Sequence, residues 1–246
     1  MKRILLLLGV LTMFAASSIV LEQVPEGIIT YEVKTNMHRR LPPDRQEMKN
    51  MVPEYNISKD QLFFNPSESL YKPVEEEEEE FGDDNAPVRM RFARPNAEIY
   101  VHPASGRHLV SQEFMGKRYL IEDTLKVTPW KFGDETKTIQ GYPCKQATFR
   151  NEERKQNVVA WYTDQLRPSM GPENFNSLPG TILQIDINEG ERVITAIKIE
   201  GRPLKKNEMK IPSSGQRISQ KAFSKMMDEQ MERMRANGGG GVMIRN

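Results

Sequence analysis

The residues with the most chemical potential in this chain are its sulfur donors. It holds 14 methionines in 246 residues, about twice the usual share. Met226, Met227, Met231 and Met234 fall on one face of a candidate helix. Thioethers are soft ligands suited to Cu(I), so this stripe is a candidate metal site. The same spacing is that of a helix burying an adaptable apolar stripe. Lys221, Lys225, Arg233 and Arg235 flank it and work against a bound cation. The single Cys144 excludes a disulfide framework and a zinc site built from several thiolates. His38, His102 and His108 lack ligand spacing, although His102 and His108 would be cross-strand neighbours across the turn at 103–107. There is no HExxH, GxSxG, P-loop or GxGxxG. No carboxylate pair stands out as a general acid and base. No catalytic residue and no cofactor is expected. Asn56-Ile57-Ser58 matches the N-glycosylation tripeptide, which is a chance match if the host is bacterial.

These residues need a scaffold, and the sequence reads as mainly β. Gly27 to Lys34 alternates and is rich in β-branched residues. A short helix is expected at about Asp44 to Met51, and one or two strands across Asp60 to Tyr71. Short strands follow at Glu98–His102, Arg107–Phe114, Arg118–Asp123 and Lys126–Phe132. Turn signals such as Met115-Gly116-Lys117 divide them. Lys137–Gln140, Lys145–Arg150 and Val158–Thr163 continue the series. Thr181–Asn188 and Arg192–Glu200 form a hairpin around Glu189-Gly190-Glu191. The regular spacing implies an antiparallel meander forming a curved sheet or half-barrel. A C-terminal amphipathic helix is expected from Ser219, as N-cap, to Ala236. Cys144 reads as a buried strand residue.

The first eighteen residues read as a secretory signal peptide. Lys2 and Arg3 precede an apolar run from Ile4 to Ala16, and small residues follow. Residues 19–236 then form one β-rich domain, and the Gly-rich tail 237–246 is disordered. Within the domain, residues 75–86 form an acidic, solvated loop: eight of the ten positions from Glu75 to Asp84 are acids. A calcium loop would need turn-forming glycines at fixed positions, which the Glu block lacks. The chain carries 35 Lys+Arg against 34 Asp+Glu. Losing Lys2 and Arg3 leaves 33 bases against 34 acids, so the acidic loop hides a moderately basic body. This balance and the export signal argue against nucleic-acid binding. Contact with an anionic membrane surface remains compatible with it. The expected location is the periplasm or the periphery of an outer membrane.

Three motifs then appear in order. The first is Gly141-Tyr142-Pro143-Cys144-Lys145-Gln146-Ala147-Thr148, and the second is Ala160-Trp161-Tyr162-Thr163. The third is Gly171-Pro172 followed by Phe175-Asn176-Ser177-Leu178-Pro179-Gly180-Thr181-Ile182. Their order resembles the GLPGLI family of exported proteins from Gram-negative bacteria, over about Gly27 to Ile199. Ser177 stands in place of the first Gly and Thr181 in place of the second Leu. The resemblance implies an exported protein and supplies no enzymatic activity or catalytic residues. The curved half-barrel of periplasmic lipoprotein carriers is a fold-level analogy only.

Pro179 fixes φ and Gly180 admits unusual backbone, so the motif suits a structural corner. It also suits a ligand or partner surface made by Trp161, Tyr162, Leu178, Pro179 and Gly180. The expected function is a noncatalytic envelope protein that binds a small molecule, a lipid or an envelope protein on its curved sheet. The alternative is a copper-binding protein that uses Met226, Met227, Met231 and Met234.

Overall fold

The computed structural model describes residues 25–41, 43–74, 96–166 and 169–236. The signal segment, the acidic loop and the Gly-rich tail lie outside the described residues. Among the described residues, twelve strands form one open sheet. They are β1 (Gly27–Asn36), β2 (Tyr55–Phe64), β3 (Ser69–Pro73), β4 (Ala97–His102), β5 (Arg107–Phe114) and β6 (Lys117–Thr124), then β7 (Lys131–Ile139), β8 (Tyr142–Asn151), β9 (Gln156–Thr163), β10 (Thr181–Ile187), β11 (Arg192–Gly201) and β12 (Gln216–Ser219). A helix, α1 (Gln220–Ala236), follows. The spatial order is β12-β6-β5-β4-β3-β2-β1-β11-β10-β9-β8-β7. Two meanders, β1–β6 and β7–β11, are therefore joined where β1 pairs antiparallel with β11. Among the described residues, only β12 runs parallel to its neighbour, β6.

The two meanders read differently because they are buried differently. In β1–β6 successive residues enter two separate cores. Ile29, Leu62, Phe64, Tyr71, Ile99, Val110 and Ile121 belong to the main core. Ile28, Phe63, Leu70, Tyr100, Leu109 and Leu120, their immediate neighbours, form a second cluster on the opposite face. Strands covered on both faces become near-continuous apolar runs, such as Leu62-Phe63-Phe64. In β10 the alternation is clean: Ile185 and Ile187 are buried, while Gln184 and Asp186 are partly exposed.

The segment between β11 and β12 supplies the cover for the second cluster. Leu204 and Met209 pack on it. Arg202 and Glu208 hold the segment in shape through two parallel bonds, Nη1–Oε2 at 2.9 Å and Nη2–Oε1 at 2.6 Å. Arg202 and the Lys205 N–H push the Glu208 pKa down to about 2. Beyond β12 the chain passes to the other face. Ser219 Oγ accepts from the Ala222 N–H at 3.2 Å and caps α1 as expected. Phe223 is buried in the main core, edge-on to Phe114 and Tyr119 at 5.9 and 5.5 Å.

Some expectations shift. The strand expected at Lys126–Phe132 begins only at Lys131, because the Trp130 indole and the Thr128 N–H are bonded to the segment around Asn176 instead. The helix expected near Asp44 is a kinked 3-10 segment, Pro43–Asn50. His102 pairs across its hairpin with Arg107, and His108 pairs with Val101, so the two histidines are not partners. Among the described residues, no group of three or more His, Cys, Asp or Glu is placed to hold a metal.

Candidate functional site

The family-like motif sits in the connection from β9 to β10, and most of it is buried. Trp161 is 9% exposed, Tyr162 5% and Leu178 2%. Gly180 is also buried, which leaves Pro179 as the exposed member of the five. The Lys137 ammonium lies 4.0 Å from the Trp161 ring centre and donates to Gln184 Oε1. Tyr162 packs edge-on against Phe132 at 6.2 Å.

The backbone explains why these residue types suit this turn. Ser177 has φ 71, a left-handed conformation that favours glycine. This is the position where the GLPGLI pattern has its first Gly. Gly180 answers a different need. A Cβ there would lie 2.0 Å from the Thr163 carbonyl oxygen and 2.6 Å from its carbon. The chain can therefore turn into β10 only if that position lacks a side chain.

The same connection covers the main core. Ile182 N–H donates to Met170 O at 2.9 Å, and the Tyr31 hydroxyl donates to Ile182 O at 2.7 Å. The Trp130 indole N–H donates to Asn176 O at 2.7 Å, and His108 shares a hydrogen bond with Asn174 at 2.9 Å. Arg192 grips both carboxylate oxygens of Glu173, with Nη1–Oε2 at 3.0 Å. Burial opposes the charge on Arg192, but Glu173 more than offsets it, and the Arg192 pKa is raised. Burial alone pushes the Tyr31 hydroxyl above its ordinary range, and burial followed by Glu173 does the same to Tyr71. Between this connection and strands β2–β4 there remains a cavity of about 10 Å³. That is roughly the room one water needs.

A larger space opens at the other end of the sheet. A groove of about 290 Å³ runs between α1 and the β5–β6 hairpin. Phe114, Met115 and Tyr119 line it from the hairpin, and Met226 from the helix. Lys117, Glu229, Gln230 and Arg233 complete its rim. Met226, Glu229, Gln230 and Arg233 are spaced i, i+3, i+4 and i+7, one face of the helix. The groove exists because α1 docks by its first half. Phe223 is buried and Met226 and Met227 are half-buried, whereas Glu229, Glu232 and Arg233 are exposed. Met115 is 63% exposed at the hairpin turn, an unusual setting for a large apolar side chain.

Of the expected sulfur ligands, Met226 and Met227 pack against the main core. Met231 is half-buried, and the Met234 side chain lies outside the described residues. Cys144 is buried as expected, and burial pushes its thiol pKa up to about 11. The groove was barely legible in the sequence. Of the methionine stripe only Met226 lines it, and Phe114, Met115, Lys117 and Tyr119 read only as strand and turn.

The comparisons agree with this picture at the level of fold. Residues 150–184 match the model of a family described as a protein of unknown function (Porph_ging). That stretch contains Ala160-Trp161-Tyr162-Thr163 and Leu178-Pro179-Gly180, two of the motifs that carry the GLPGLI resemblance. The chain is also similar to two crystal forms of PNGF-II, at 14% and 15% identity, each with a TM-score of 0.57. Each match covers 83% of this chain and 33% of PNGF-II, so the chain spans about a third of that protein's length. At this identity the likeness shows the fold alone. No curated protein matches the sequence.

Proposed function

We propose that this chain is an exported, noncatalytic binding protein of the GLPGLI type, and that its ligand sits in the groove between α1 and the β5–β6 hairpin. One observation carries the reading. Trp161, Tyr162, Leu178 and Gly180 are buried and offer no open surface, whereas the groove is open, with Phe114, Met115, Tyr119 and Met226 as its apolar floor and Lys117, Glu229, Gln230 and Arg233 as its polar rim. Such a lining is the usual character of a ligand site, and the volume of about 290 Å³ falls just under the usual range of roughly 300–1,000 Å³. Export rests on the composition of the first eighteen residues.

Fractionation with N-terminal sequencing tests the export. A mature chain beginning between Ala16 and Leu21 in the cell envelope is expected. Native mass spectrometry of the chain isolated from that envelope tests the binding. A co-purifying species of defined mass is expected, and a Gln230→Trp variant is expected to lose it. Gln230 is a half-buried helix position on the groove rim, so the indole fills the space with little effect on the core. Retention of the species by the variant would move the site elsewhere.

A further inference from the structure

We infer that the groove takes a single-chain amphiphilic anion, such as a medium-length fatty carboxylate, with its chain on Phe114, Met115, Tyr119 and Met226 and its head between Lys117 and Arg233. The inference rests on the groove being a ligand site, as proposed above, and names the chemistry of its occupant.

Shape and size come first. About 290 Å³ holds on the order of ten water-sized groups. That suits one alkyl chain and is too little for a folded partner or a multi-ring cofactor. The groove is bounded on two sides, by a helix and a hairpin, and is otherwise open, which suits a chain that enters end-on. The hairpin wall is aromatic and thioether, the helical wall adds the Met226 thioether beside polar residues, and methionine adapts to an alkyl chain without a fixed shape requirement.

Charge selects the head. Lys117 extends from the first residue of β6, and Arg233 lies at the far end of the helical wall. Neither makes an ion pair among the described residues. The acid on the rim, Glu229, is matched by Lys225 at 3.8 Å across one helical turn. With Glu229 matched, the rim is left with two positive charges, Lys117 and Arg233, which favour an anionic head held between them. A guanidinium provides paired donors for a carboxylate, and the nearby ammonium adds charge without competing for that geometry.

Calorimetric titration of the purified chain with decanoate, below its micelle concentration, tests this. Decanol and decyltrimethylammonium serve as probes of equal chain length. Binding of one decanoate per chain is expected, with decanol at least tenfold weaker and the cation weaker still. Lys117→Gln with Arg233→Gln should weaken decanoate at least tenfold and leave decanol unchanged. Both positions are exposed, so folding is not at stake. Equal affinity for decanoate and decanol, or equal affinity of variant and parent for decanoate, would overturn the inference. The two proposals fail separately. If the envelope-derived chain holds a species in the groove that decanoate does not displace, the amphiphile is wrong and the binding function stands. If that chain holds nothing and decanoate does not bind, both fall.

Discussion

Ser177 and Gly180 show how a family pattern reduces to backbone geometry. Ser177 occupies a left-handed conformation that costs a residue with a Cβ about 1–2 kcal/mol. Its hydroxyl returns part of that by accepting from the Thr128 N–H at 3.3 Å and donating to Asn176 Oδ1. Ser177→Gly is therefore expected to change stability by less than about 1 kcal/mol in urea denaturation, because the two lost bonds offset the relieved backbone. Gly180→Ala should cost at least about 3 kcal/mol, because the clash is with the Thr163 backbone and no rotamer relieves it. The sequence pattern marked this corner correctly, but a sequence does not print φ, and nothing in Asn-Ser-Leu-Pro-Gly says which residue carries the strain. Cys144 makes a pH prediction. Its thiol ionises near 9.0 when unfolded and near 11 when folded, because burial disfavours the thiolate. Above pH 9 the unfolded chain therefore binds fewer protons than the folded one, and stability falls as pH rises. Tyr31 and Tyr71 act in the same direction from higher pH. A Cys144→Ala variant should lack the part of the decline that begins near pH 9, measured as denaturation midpoint against pH.

Among the elements, α1 depends on a single deep anchor. Phe223 is 2% exposed and meets two aromatic rings, whereas its neighbours on the helix are only half-buried. An isolated helix of this length is marginal in water. Phe223→Ala should cost about 3–5 kcal/mol of docking energy. The expected result is loss of helical circular dichroism and of groove binding while the β signal persists. Loss of both signals together would show that the helix is integral to the sheet. The helix was legible because Phe223, Met227, Met231 and Met234 repeat at its period. The hairpin of β10 and β11 was legible through the alternation of Ile185 and Ile187 with polar residues. β12 was not, because four residues, Gln-Arg-Ile-Ser, give no period to read, and they become a strand only when β6 offers its edge. The start of β7 was missed for a related reason. Leu125 to Trp130 has strand-like composition, but its polar groups are claimed by a loop that is distant in sequence.

At the scale of the molecule, the central pairing joins two strands that lie far apart along the chain. β1 lies between β2 and β11, and the Tyr31 hydroxyl reaches a carbonyl 151 residues away. Such pairings raise contact order, so refolding by stopped flow should take seconds or longer and not milliseconds. A single phase of microseconds to milliseconds would contradict this. Long-range order is also the part of the fold that the sequence concealed. Each strand carries its own pattern, whereas the neighbour of β1 across the seam is decided by which faces remain apolar once both meanders exist. The seam has a further consequence during synthesis. As the chain emerges, β2 covers one side of β1 at once, and the other side stays bare until β11 is made. For most of translation the first meander thus presents an open strand edge flanked by two greasy faces, the kind of surface that recruits neighbouring chains. A nascent chain released before Arg192 is therefore expected to need a holding chaperone, and its half-life should depend on one.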